Sequence, residues 1–106
     1  MDLELFWTEF AESELQRIFK YYNDIASYRV AYKIVNEILD EPEILKTHPE
    51  IGQLEELLAG KVEGFRYLVY RNHHKIIYWV NSEENRIEIV DVFDVRQYPE
   101  KIKRTI

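Results

Sequence analysis

At 106 residues the chain is long enough for one domain that buries roughly two thirds of the surface its unfolded form exposes, and too short for a second. A content of 46% hydrophobic and 14% aromatic residues describes an ordered globular protein, and the absence of cysteine excludes disulfides and thiolate metal sites, as expected of a protein in a reducing cytoplasm. The net charge of −6 is uneven: residues 1–60 carry 5 basic and 13 acidic side chains, residues 61–106 carry 9 and 7, so the strong positive footprint of most nucleic-acid binders is missing.

In chain order, Leu3, Leu5 and Trp7 alternate with Asp2, Glu4 and Phe6, the period of a short strand. Thr8 offers a helix N-cap, with Glu9 and Glu12 placed where the helix dipole favours acids. Ala11, Leu15, Ile18, Phe19, Tyr22, Ile25 and Ala26 then share one helical face, which predicts a core-facing helix. After a break near Ser27 the spacing restarts with Tyr28, Ala31, Ile34, Val35, Ile38 and Leu39, until Pro42 closes a second helix. The acidic residues of this half read as the solvated faces of the two helices. With neither a long apolar run nor a basic-apolar leader, a soluble, cytoplasmic protein without membrane contact is expected.

Residues 40–64 hold two prolines and all three glycines and read as an irregular connection with one helical turn at Leu54–Leu58. Beyond it, Phe65–Arg71 and His74–Val80 flank Asn72-His73, a candidate two-residue turn, and Asn81–Asn85 leads into a last strand, Arg86–Phe93. The predicted order is β-α-α-β-β-β: a single α+β domain over 1–106, with a helical hairpin on one face of a mainly antiparallel sheet. A two-residue turn would set Arg66, Leu68, Tyr70, Lys75, Ile77 and Trp79 on the face away from the helices, as a working surface. Phe65, Tyr67, Val69, Ile76, Tyr78 and Val80 would then meet the helices.

The glycines fit neither nucleotide-binding spacing, and His73-His74 point to opposite sides of a strand, so neither an organic cofactor nor a metal is expected. The remaining candidates are Glu55, Arg66, Arg71, Lys75, Arg96 and Tyr98. Arg66, Lys75 and Arg96 read first as charges that solvate a sheet face and pair with Glu88 or Asp94. A carboxylate, a basic pair and a tyrosine are also the groups needed to cleave RNA by its own 2′-hydroxyl, as base, phosphorane-stabilising cation and acid.

The chain resembles the RelE/ParE superfamily of type II toxin–antitoxin toxins. The resemblance rests on Ala11, Leu15, Ile18 and Tyr21-Tyr22, on Pro49–Gly52, and most specifically on Phe65-Arg66-Tyr67-Leu68-Val69, Lys75-Ile76-Ile77-Tyr78 and Val92-Phe93-Asp94-Val95-Arg96-Gln97-x-Pro99. It implies the same helical hairpin on an antiparallel sheet, a cognate antitoxin as partner, and one of two activities. In a RelE/YoeB-like, ribosome-dependent mRNA endonuclease, Glu55 would stand for the general base, Lys75 for the phosphate-stabilising arginine and Tyr98 for the general-acid histidine. Two of those three depart from the pattern: lysine lacks the bidentate fork, and tyrosine, with a reference pKa of about 10, is a poorer acid near neutrality. A ParE-like toxin would instead bind DNA gyrase through exposed contacts, here Arg66, Arg71, Arg96, Lys101, Lys103 and Arg104. The departures and the acidic balance favour the ParE-like reading over the nuclease. A degenerate member that only binds an antitoxin is the third reading.

Overall fold

The computed structural model describes residues 2–105. Five strands form one sheet in the order β1-β5-β4-β3-β2. They are β1 (Glu4–Trp7), β2 (Gln53–Leu54), β3 (Arg66–Tyr70), β4 (His74–Asn81) and β5 (Arg86–Asp94). β1 runs parallel to β5 and the other pairs are antiparallel. The expected α+β architecture is observed, with one short strand added at the edge by β2.

Local chemistry explains both helix starts. Thr8 accepts a hydrogen bond from the Ala11 N–H at the head of α1 (Glu9–Ile25), and Ser27 accepts one from Val30 at the head of α2 (Tyr28–Asp40). Such caps contribute about 1 kcal/mol each. Pro42 ends α2 as predicted and sits at the start of a 3-10 segment, Glu41–Lys46. Further 3-10 segments follow at Glu56–Leu58 and at Pro99–Thr105, the second of which no spacing in the sequence announced. Among the described residues no helix is long and apolar enough to cross a membrane.

Both faces of the sheet are covered. The helices pack on Ile76, Tyr78, Ile87, Ile89 and Val92 through Ala11, Leu15, Ile34 and Ile38. On the opposite face Ile77, Val90 and Phe93 meet Phe65, Leu58 and Ile102, the last two carried by 3-10 segments. Burying each large aliphatic side chain stabilises the fold by roughly 1.5–3 kcal/mol. Val90 is an extra residue in β5: Ile77 lies opposite Asp91 but Tyr78 lies opposite Ile89, a bulge that changes the phase of the strand.

The β3-β4 hairpin departs from expectation. Tyr70 pairs with His74 and Leu68 with Ile76, so the loop is Arg71-Asn72-His73 and the register is one residue from the predicted pairing of Tyr70 with Lys75. Arg71 (φ 50°) and Asn72 (φ 61°) occupy the left-handed region, and the His73 N–H closes the turn on the Tyr70 carbonyl. A one-residue slip exchanges the two faces of one strand. β4 keeps its predicted sides, whereas in β3 Leu68 and Tyr70 turn to the helices, and Phe65 and Tyr67 join Ile77 and Trp79 on the other face.

Candidate functional site

The face away from the helices carries an ion pair between Glu55 and Lys75. Glu55 caps the 3-10 segment Glu56–Leu58, its Oε2 accepting the Leu57 N–H at 3.1 Å, while Lys75 Nζ on β4 donates to Oε1 at 2.6 Å. Glu55 is only 4% exposed. Lys75 Nζ also lies 4.2 Å from the centre of the Tyr67 ring, whose hydroxyl donates to Gln53 Oε1 at 2.8 Å. Both Glu55 oxygens thus accept a hydrogen bond, one of them from a charged donor. Tyr98, 68% exposed on the loop that leaves β5, makes no hydrogen bond to this pair among the described residues.

A second cluster sits where β5 ends. Asp94 and Arg96 form a two-pronged pair, Nε to Oδ1 at 3.0 Å and Nη2 to Oδ2 at 2.8 Å, and the Arg96 N–H adds a third bond at 2.9 Å. The Arg96 guanidinium holds the Asp94 carboxyl below the usual carboxylate range, and Asp94 in turn raises Arg96. Both border a cleft of about 270 Å³ against α1, walled by Tyr21, Tyr22 and Ile18 and floored by Val92 and His74. His74 is 4% exposed, and its Nδ1 has no hydrogen-bond partner among the described residues.

Burial pushes His74 below its ordinary pKa of 6.5, against the opposing pull of Asp94. A folded-state pKa below the unfolded one means that His74 contributes stability above pH 6.5, which is lost as the pH falls through its folded-state value. The carboxylates Glu37 and Asp94, whose pKa values are also depressed, act at lower pH, below their reference values of 4.5 and 3.8. Between about pH 6.5 and 4.5 the urea midpoint is therefore expected to fall in the wild type and to stay nearly level in His74→Phe. An identical slope in both proteins would assign the effect to another group.

The other predicted cations are mostly spoken for. Arg66 Nη1 donates to the carbonyls of Glu50 (3.2 Å) and Gly52 (2.8 Å), tying the loop before β2 to the sheet. Arg71 binds Glu37 Oε1 at 2.7 Å, where the Tyr70 hydroxyl also donates, and burial together with that bond raises Tyr70 to about 12. Arg104 joins Glu14 (2.7 Å) to Asp91 (3.2 Å), and Thr105 Oγ1 also donates to Asp91. Lys101 and Lys103 are exposed, Lys103 beside Glu100 at 2.7 Å.

Sequence reasoning missed Glu14 and Asp91, although a signal existed. Glu14 falls inside the apolar stripe of Ala11, Leu15 and Ile18, and Asp91 interrupts Ile89-Val90-x-Val92-Phe93. A charge in the middle of an apolar pattern implies a buried partner. The structure thus brings Glu55 and Lys75 together, shows no hydrogen bond from Tyr98 to either, and divides the binding candidates into structural and exposed cations. Among the described residues no group of three His, Asp or Glu side chains is placed to hold a metal ion.

Comparison with known proteins places the chain. A family model described as the ParE toxin of the type II toxin–antitoxin system parDE matches residues 5–99. A solved structure of the chromosomal ParDE toxin–antitoxin system from P. aeruginosa shares 22% identity with a TM-score of 0.71, covering 88% of this chain and 96% of that one. A free mutant of the E. coli toxin RelE shares 20% identity over the full length of both chains, with a TM-score of 0.41. No curated protein matches the chain. With a family model spanning all but the first few and last few residues, on the fold just described, the chain belongs to the ParE toxins of type II toxin–antitoxin systems.

Proposed function

We propose that this protein inhibits growth by binding DNA gyrase in the cytoplasm and is neutralised by a cognate antitoxin, without cleaving RNA itself. The observation that carries the reading is the closed Glu55–Lys75 pair. In the nuclease reading these two residues are base and phosphate-stabilising cation, yet here each is paired with the other at 2.6 Å and Tyr98 is hydrogen-bonded to neither. Family membership supports the antitoxin as partner. A largely disordered antitoxin segment that folds on binding suits reversible neutralisation over a wide surface.

The exposed cations suit contact with gyrase best, because Arg66, Arg71 and Arg104 already hold the fold together. Lys101 and Lys103 are the first choice, with Arg96, exposed but paired to Asp94, beside them. At about 0.5–1 kcal/mol per exposed charge, replacing both lysines by alanine should weaken gyrase inhibition roughly tenfold with the melting temperature unchanged. Glu55→Gln should leave inhibition intact. The deciding experiment adds purified protein to a gyrase supercoiling reaction and, separately, to a ribosome-containing translation reaction. Inhibited supercoiling with intact mRNA is expected. Cuts in ribosome-bound mRNA that vanish in Lys75→Ala would replace this reading with the nuclease.

A further inference from the structure

At the floor of the cleft between α1 and the end of β5, His74 Nδ1 is buried with no hydrogen-bond partner among the described residues. Buried polar atoms in folded proteins are nearly always paired, because an unpaired one has lost its water without replacement. One water would satisfy it, but a water takes up only roughly 30 Å³ and the cleft offers about 270 Å³. The rest of the space is walled by Ile18, Val92 and the rings of Tyr21 and Tyr22, apolar surface that gains nothing from water.

The walls specify a shape. Tyr21 and Tyr22 stand edge to face, with ring centres 5.0 Å apart at 85°, so a flat ring can lie on the face of one and meet the edge of the other. The mouth specifies a charge. The side chains of Arg17 and Arg96 are 75% and 54% exposed, against 6% for Glu14 and 29% for Asp94, so an incoming ligand meets guanidinium first. The pair with Asp94 uses Nε and Nη2 of Arg96 and leaves Nη1 outside it, and the contact of Arg17 with Glu14 is a long 3.5 Å. Arg104, the third cation of the lining, is committed to Glu14 and Asp91. Free arginine forks suit carboxylate and phosphate groups. At about 270 Å³ the cleft falls below the roughly 300–1,000 Å³ of drug-sized pockets, which limits its occupant to one ring and a substituent.

We propose that this cleft binds a small anionic N-heterocycle, with its polar ring edge hydrogen-bonded to His74 Nδ1, its flat face on the tyrosines and its carboxylate or phosphate at Arg17 and Arg96. A plain benzene ring would leave Nδ1 unpaired, whereas a heterocycle carries donors and acceptors on one edge and can answer either tautomer of the imidazole. Burial holds His74 below its ordinary 6.5, so near neutral pH the ring is uncharged and presents such a tautomer. A free heterocyclic acid and a single-ring nucleotide share this chemistry. The site lies on the helix side of the sheet, on the face opposite Glu55 and Lys75, and does not depend on the gyrase reading.

The probe is orotate, a pyrimidine carboxylate, titrated into isotope-labelled full-length protein, with uracil as the control that lacks the anion and benzoate as the control that lacks the polar ring edge. Orotate is expected to bind with a Kd of about 1 mM or tighter, a modest demand for a fragment of this size, and both controls at least about tenfold more weakly. Bound orotate should shift the imidazole nitrogen resonances of His74, which filling by water alone would leave unmoved. His74→Phe removes the polar floor and should abolish binding. Arg17→Ala, on the solvated side of α1, covers the case of a misfolded His74 variant: it should weaken orotate about tenfold with the melting curve unchanged. Uridine monophosphate separates the two sources, since binding tighter than orotate assigns the site to a nucleotide and weaker binding to a free acid. No saturable binding of either anion, benzoate bound as tightly as orotate, unmoved His74 resonances, or unchanged affinity in Arg17→Ala overturns the proposal.

Discussion

Arg104→Ala is expected to cost about 3–5 kcal/mol of folding stability, the effect of removing one partner from a buried ion pair. Arg104 joins two acids that have almost no contact with water, Asp91 at 0% exposure on β5 and Glu14 at 5% on α1. Its guanidinium also lies 5.2 Å from the Phe10 ring and 5.4 Å from the Phe93 ring, so truncation loses packing as well as charge. Against a total stability of roughly 5–15 kcal/mol the variant should be marginal, and thermal melting should show a drop of more than about 12 °C. Adding Asp91→Asn relieves the uncompensated charge and should recover part of the loss. If Arg104→Ala melts within a few degrees of the wild type, the three residues are not a cooperative unit. Reduced toxicity of this variant would otherwise report folding, so Arg104 is a poor choice for mapping a target surface.

Gly52→Ala is expected to be nearly as damaging, by about 3 kcal/mol. A Cβ at this position would stand 2.5 Å from Tyr78 Oη and 2.8 Å from the Tyr67 carbonyl oxygen. Tyr78 cannot swing aside, because it is fully buried and its hydroxyl donates to the Pro49 carbonyl at 2.8 Å while accepting the Gly52 N–H at 3.0 Å. Overpacking of this kind costs about 1–3 kcal/mol, and the stranded Gly52 N–H adds about 1–3. Tyr78→Phe in the same denaturation series separates the two effects, since it loses the hydrogen bonds but leaves the space. A Gly52→Ala loss no larger than that of Tyr78→Phe would show that sterics contribute little.

What was legible in the sequence was local. Thr8 and Ser27 announce their helices because a cap and its N–H lie three residues apart, and Pro42 stops α2 through its own ring. The β3-β4 loop misled because Asn72 and His73 look like better turn residues than Arg71, yet Arg71 takes a left-handed φ beside Asn72. Its guanidinium binds Glu37 on α2, an interaction between distant residues that no local pattern contains. The meeting of Glu55 with Lys75 was suggested by family resemblance and not by spacing, since it depends on how the 53–58 segment lies across β3 and β4. The 3-10 turn at Pro99–Thr105 was hidden because it presents one buried apolar residue, Ile102, and a period cannot be read from one point.

The parallel pairing of β1 with β5 sets an order of assembly. Leu5 lies opposite Ile87, so the ladder closes a loop that contains almost the entire described chain, whereas the helical hairpin and the β3-β4-β5 meander join near neighbours. Closing so long a loop carries a large entropic cost and is favourable only once the intervening elements have compacted. During synthesis β1 leaves the ribosome before its partner β5 and is among the last elements to find its place. In the interval Leu3, Leu5 and Trp7 have no sheet to join. The sheet is therefore incomplete until β5 has been made, and a nascent chain that stops short of Arg86 carries a sticky, unpaired leading strand that a chaperone or another polypeptide can capture first.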